Sequence, residues 1–307
     1  MTTQCTHQLL MIEPVRFGFN EQTATDNRFQ NNTGHSLQEQ ALAEFNGLVQ
    51  LLRDNKVAVM VVADTPEPHT PDSIFPNNWI SFDADGTIVL YPMYAPNRRQ
   101  ESKQPVLDQL NRAFQVSRTI DLRHFTMEDL FLEGTGSMVL DRVNRLAYAC
   151  ISGRTSETLL NEFCRIMDYR PVVFHATDAA GIDIYHTNVM LCVGEQFAVI
   201  CLDAITDEDE KQRVLDSFAS TGKMVIPLSR EQMNAFAGNM LQVATMEEEL
   251  LLVMSSQAYR ALDDDQKTLL ESCNRIVHTP LETIESAGGG SARCMLAEVF
   301  LPIAYAT

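Results

Sequence analysis

A chain of 307 residues, 45% hydrophobic and 21% charged, has the make-up of an ordinary globular protein and can bury a substantial core. Its formal net charge of -18 argues against nucleic acid as a partner, because a phosphate backbone would be repelled at most faces, yet it is compatible with a locally basic pocket. No apolar run approaches the roughly 18 residues of a membrane helix, and seven irregularly spaced cysteines without a Cys-x-x-Cys pair predict neither a disulfide framework nor a zinc site but reduced thiols in a cytoplasmic protein.

LLMIEP, 9–14, has the pattern of a first strand. The polar, Asn-rich segment from Phe17 to Gly34 is too long for a plain connection in a compact domain, and its length and polarity suggest a lid. Ser36 is placed to cap a helix over LQEQALAEFNGLVQLLRD, and VAVMVVAD, 57–64, is a β-branched strand.

A beat then repeats: a polar approach, two apolar strands joined by a short turn, a helix and a third strand. NNWISFD turns through Ala84–Gly86 into TIVLYPM, with a helix around Glu101–Val116. GSMVLD turns through Arg142–Arg145 into LAYACIS, followed by a helix from Ser156 to about Asp168 and by PVVFHA. TNVMLCVG and FAVICLDAI precede a helix over Asp207–Ala219 and MVIPLS. GNMLQV and ELLLVMSSQAY precede a helix in 263–273 and IVHTP. SARCMLAEVFLP supplies a fifth approach, expected as an extended buried segment ending at Pro302, and LLMIEP at the other end completes its unit.

The approaches at Asn78, Gly136, Asn188, Asn239 and Cys294 recur roughly every 50–60 residues, a repeat period. Five such units closing into a ring give an α/β, five-bladed ββαβ propeller over 1–307 as one domain, with both ends of the chain sharing a blade. A doubly wound sheet also alternates strands and helices, but paired strands before each helix favour the ring.

In such a ring, equivalent positions converge near the axis. They are Asp72, Asn77 and Asn78, Glu133, His186, Asn239 and Cys294, which include a thiol, an imidazole and a carboxylate. The glycines of SAGGGSARCM allow a sharp turn before Cys294, and Arg293 beside it would favour an exposed thiolate. His186 is the acid–base partner that a thiol nucleophile needs. Glu133, between Leu132 and Gly134, is expected to be partly buried and so to require a cation or several donors. Arg98 and Arg99 in APNRR and Arg154 in SGRTS fall at matching phases of successive units and could clamp a small carboxylate, whereas Ser156 caps a helix.

PDSIFPNNW, APNRR, LEGTGSM, GRTS, YHTNVM, GNML and GGGSARCM, in this order over nearly the whole chain, resemble the guanidine-modifying superfamily of arginine deiminases, dimethylarginine hydrolases and amidinotransferases. The chain most resembles its citrulline-utilisation, arginine deiminase-related branch. The resemblance implies the five-bladed propeller, with Cys294 as nucleophile, His186 as general acid/base and Glu133 holding substrate nitrogens. It further implies that Arg98 and Arg154 bind the substrate carboxylate and that Asp72 lies near the α-amino end. Counting from Ala95-Pro96 selects Arg98; Arg99 and Arg142 stay open as further carboxylate ligands.

One departure concerns the substrate. Where dimethylarginine hydrolases carry acidic residues after the Asp-x-x-Phe stretch, this chain has Asn77 and Asn78. An amide both donates and accepts, as a neutral ureido group requires, but leaves a guanidinium under-compensated. The expected substrate is therefore citrulline or another neutral ureido amino acid, hydrolysed to ornithine, ammonia and carbon dioxide with no metal or organic cofactor. Arginine or methylated-arginine hydrolysis, amidinotransfer and a non-catalytic propeller are the alternatives. Homo-oligomerisation is left open.

Overall fold

The computed structural model describes residues 3–24, 26–30 and 37–304. Ser36, expected to cap the first helix, and 31–34 of the polar segment lie outside the described residues. The strands form five separate three-stranded sheets: β3 (Ile80–Phe82), β4 (Thr87–Leu90) and β5 (Arg118–Asp121); β6 (Val139–Asp141), β7 (Leu146–Cys150) and β8 (Arg170–Phe174); β9 (Leu191–Val193), β10 (Phe197–Ile200) and β11 (Met224–Pro227); β12 (Leu241–Ala244), β13 (Leu250–Ser255) and β14 (Arg275–Thr279); and β15 (Ala297–Glu298) with β1 (Gln8–Glu13) and β2 (Ala58–Ala63).

Every sheet follows one rule. The first strand pairs antiparallel with the second through a tight turn, as Ile80 does with Leu90. The second pairs parallel with the third across a helical crossover, as Leu90 does with Asp121. The fifth sheet obeys the rule across the chain's two ends, Leu10 facing Ala297 on one side and Met60 on the other. This is the five-bladed ring anticipated from the repeat.

The sheet order also explains the composition of the strands. The middle strands of the units, such as TIVL and FAVI, are buried throughout because a strand flanks them on each side and blades cover their faces. The third strands face outward; RTID of β5 is almost entirely exposed and carries no apolar run, so it escapes hydrophobic patterning. The crossover helices bury one stripe each. In Gln38–Asp54 these residues are Ala41, Phe45, Leu48, Val49 and Leu52, at helical spacing. Helices at Glu157–Met167 and Glu208–Ser220 begin with Ser156 and Asp207 accepting a backbone N–H, the cap expected of each type.

Two local expectations change. The glycine stretch is not wholly loop: Glu282–Gly288 is helical and Gly289, at φ +66°, ends it in the left-handed region that favours glycine. The segment after Cys294 is not a long strand. Only Ala297–Glu298 pairs, because the chain crosses β1 for one turn of the ladder before leaving. No described helix is long and apolar enough to cross a membrane.

Candidate active site

The residues singled out above sit on short turns that precede the first strand of each blade. Asn77 and Asn78 end the 3₁₀ turn Pro76–Asn78, Glu133 opens Gly134–Ser137, His186 opens Thr187–Val189, and Cys294 lies inside Ala292–Met295. Asn239 occupies the same place before β12. The turns meet at the ring's axis. A Cβ on Gly136 would lie 2.4 Å from Asn78 Nδ2 and 2.9 Å from the His186 ring, so only glycine permits this approach. Side-chain bonds lock the turns: Ser137 Oγ donates to the Arg154 carbonyl at 2.8 Å, and Thr187 Oγ1 donates to the Ser137 carbonyl at 2.6 Å.

Glu133 is fully buried, more than expected. Its Oε2 lies 2.7 Å from His186 Nε2, 3.6 Å from Arg154 Nη1 and 3.8 Å from Arg98 Nη1, while Oε1 accepts the Tyr94 N–H at 2.9 Å. Burial alone would raise this carboxyl; Arg154, the His186 hydrogen bond and Arg98 outweigh it and hold it well below the usual carboxylate range. For His186, burial dominates and lowers the imidazole below its ordinary value despite Glu133, with Arg154 and Arg98 acting in the same direction as burial. The pair is thus a carboxylate and a neutral imidazole near neutral pH.

Cys294 is 5% exposed, against the expectation of an exposed thiol. Its Sγ accepts from Asn239 Nδ2 at 3.3 Å and from Asn188 Nδ2 at 3.5 Å. Arg293 does not supply charge to the sulfur; its guanidinium donates to the Leu296 carbonyl and pairs with Glu298 at 3.0 Å, while its N–H donates to Asn239 Oδ1. The thiol is therefore braced by amides. Asn188, which the repeat marked only as a strand approach, is one of them.

The arginines are already engaged. Glu101 holds Arg98 bidentately, at 2.8 Å on Nε and 3.0 Å on Nη2, and Arg98 Nη1 donates to Asn78 Oδ1 at 2.8 Å. Asn78 Nδ2 in turn donates to Asn77 Oδ1 at 2.9 Å. Burial disfavours the Arg98 charge, but Glu101, Asp72 and Glu133 outweigh that and raise its proton affinity further. Glu101 was missed, although the i,i+3 spacing from Arg98 was there to be read. Asp72 Oδ2 accepts from Asn20 at 2.7 Å and Thr23 at 3.2 Å and lies 3.7 Å from Arg98 Nε. Burial raises its carboxyl, with Arg98 opposing. Arg154 binds Asp26 through Nε at 2.8 Å and through Nη2, beside the Tyr185 ring. Arg99 and Arg142 turn elsewhere: Arg99 caps the Met93 and Tyr94 carbonyls, and Arg142 lies over Phe300 and pairs with Glu298.

Asp72, Asn78, Arg98, Arg154, His186 and Cys294 thus line one cavity of about 20 Å³. The profile of the family described as N,N dimethylarginine dimethylhydrolase, eukaryotic, matches residues 13–301. The chain belongs to that family. As a dimethylarginine dimethylhydrolase-family member it is a hydrolase of C–N bonds within the guanidine-modifying superfamily. No curated protein matches it in sequence. Among solved structures, ArgZ, an arginine dihydrolase from the ornithine-ammonia cycle in Cyanobacteria, superposes with a TM-score of 0.76 at 20% identity, covering 97% of this chain. The chain spans 41% of that protein's length. It covers 99% of the separately solved N-terminal domain of ArgZ bound to substrate, with a TM-score of 0.74, 20% identity and 96% of this chain matched. A dimethylarginine dimethylaminohydrolase adduct with S-methyl-L-thiocitrulline superposes with a TM-score of 0.66 at 14% identity, over 97% of this chain and 100% of that one. At these identities the likeness is one of fold.

Proposed function

We propose that this hydrolase cleaves the ureido group of citrulline, or of a closely similar neutral ureido amino acid, with Cys294 as nucleophile. The observation that carries the reading is the amide at Asn78: its Oδ1 is taken by Arg98, and its Nδ2 gives one hydrogen to Asn77 and keeps the other for a ligand. A ureido oxygen needs such a donor. A carboxylate here would meet Arg98 equally well but offer a ligand no donor.

The chemistry follows from the neighbours. Neutral His186 takes the thiol proton, and the sulfur attacks the ureido carbon, forming a C–S bond. Glu133, kept ionised, orients the imidazole and accepts from substrate nitrogen. Ammonia leaves with the proton held by His186 as the C–N bond breaks, and a thiocarbamate remains on Cys294. Water, losing a proton to His186, then displaces the sulfur, and the released carbamate decomposes to ornithine and carbon dioxide. Asp72 takes the α-ammonium end. Arg154 takes the carboxylate, with Arg98, whose fork Glu101 holds, reaching the centre of the site through Nη1.

A second reading is hydrolysis of arginine onward through citrulline to ornithine. The ionised Glu133 favours it by offering an anionic partner to a guanidinium. Purified protein given citrulline and arginine separately, with ornithine and ammonia assayed, separates the two. Release from citrulline alone is the expected result, release from both favours the second reading, and ammonia from arginine with none from citrulline overturns the first.

A further inference from the structure

The cavity of about 20 Å³ beside Cys294 has room for about one water, whereas small-molecule sites measure roughly 300–1,000 Å³. A ligand therefore has to displace part of the protein. What fills the site's polar end is Asn20, Thr23 and Asp26, and they do so with ligand-like chemistry. Asp26 lays its carboxylate on the Nε and Nη2 fork of Arg154, and Asn20 and Thr23 donate to Asp72 Oδ2. An anion thus sits on the guanidinium and donors sit on the carboxylate, as the α-carboxylate and α-ammonium of an amino acid would.

The two partners of the ion pair differ in burial. The Arg154 side chain is 2% exposed and that of Asp26 is 32% exposed. Asp26 can leave and be hydrated at little cost, whereas the buried Nε and Nη2 fork of Arg154, which Glu133 reaches only at Nη1, needs another anion in its place. Space for the exchange adjoins the site. A cleft of about 670 Å³ is lined by Asp26, Phe29, Ile184 and Tyr185 among others, and Tyr185 also lines the small cavity.

We propose that Asp26 is a specificity-determining residue, an internal stand-in for the ligand's carboxylate, and that a substrate enters by exchanging its own carboxylate for Asp26 on Arg154. The inference rests on the assignment of Arg154 as the carboxylate ligand. Ligands that carry a carboxylate compete with Asp26; those that lack one leave it in place.

The test is calorimetric titration of the Cys294→Ser protein, with and without Asp26→Asn, using L-citrulline, L-arginine and 4-ureidobutylamine, which is citrulline without its carboxylate. Asp26→Asn is expected to tighten binding of the recognised amino acid about tenfold, the scale of one charge-assisted bond, and to leave 4-ureidobutylamine unchanged. Unchanged or weaker amino-acid binding in Asp26→Asn overturns the exchange, weaker binding marking Asp26 as a clasp over bound ligand. If neither amino acid binds a folded protein, the proposed function falls and the exchange with it. Hydrogen exchange with Asp26 intact is a second measurement that does not depend on the Asp26 variant: amides of 17–24 and 26–30 are expected to lose protection on ligand binding, and a gain overturns the proposal.

Discussion

Glu133 and His186 meet at 2.7 Å between two buried arginines, so one carboxylate ties the imidazole to both guanidinium groups. The carboxylate fixes one ring nitrogen of His186 and at the same time compensates Arg98 and Arg154. Glu133→Gln keeps the shape and removes the charge. It is expected to lower kcat/KM by about 10²–10⁴, the range of a general acid–base group, and to destabilise by about 3–5 kcal/mol, as when one partner of a buried pair is lost. Steady-state kinetics and urea unfolding measure the two. Loss of activity at unchanged stability would mean that the arginines do not depend on this carboxylate.

Asn78→Asp isolates the proposed preference. The new carboxylate still accepts from Arg98 but faces Asn77 Oδ1 without a hydrogen between them, and no donor remains for a ureido oxygen. The ratio of kcat/KM for citrulline to that for arginine is expected to fall by about tenfold or more, one hydrogen bond's worth of discrimination. A ratio that holds steady removes Asn78 from substrate selection.

Two glycines at the axis are expected to respond differently to alanine. At Gly238 the added carbon would lie 2.4 Å from the Val189 carbonyl oxygen, which is backbone and cannot swing aside. At Gly136 it meets the side chains of Asn78 and His186, which can. Gly238→Ala should therefore lose about 1–3 kcal/mol of stability or more. Gly136→Ala should lose less stability and more kcat, by displacing the imidazole. Thermal unfolding beside kinetics tests the contrast, and equal stability losses would refute it.

Glu101 carries a pH dependence. Burial, opposed by Arg98, raises its carboxyl from 4.5 to about 7. A group raised on folding gives its full stabilisation below its unfolded value and loses it as pH climbs through the folded one. The stability of the native protein relative to Glu101→Gln is thus expected to decline between pH 4.5 and about 7 and to level off above. Urea midpoints across that window measure it, and a rising difference would reverse the assignment.

The blades were legible because their middle strands are continuous apolar runs at a steady period, and the axial residues because each stands just before such a run. β5 was not, since an exposed outer strand such as RTID needs no apolar pattern. The burial of Cys294 and the partners of Arg154 were hidden for another reason. They depend on contacts between turns some 50 residues or more apart, and on Asp26 reaching across 128 positions to Arg154, none of which leaves a local trace. The polar stretch from Phe17 announced by its length that it had work to do, but not that its side chains imitate a ligand.

The joining of β15 to β1 carries a consequence for biosynthesis. The Val299 N–H donates to the Gln8 carbonyl, so β1 waits for β15, the last of the described strands in chain order, before its blade is complete. The thiol lies in the turn just before that closing pair. A nascent chain that has already made Glu133 and His186 still has neither sulfur nor closed ring. Closing the circle and setting Cys294 beside Asn188 and Asn239 are then a single late event.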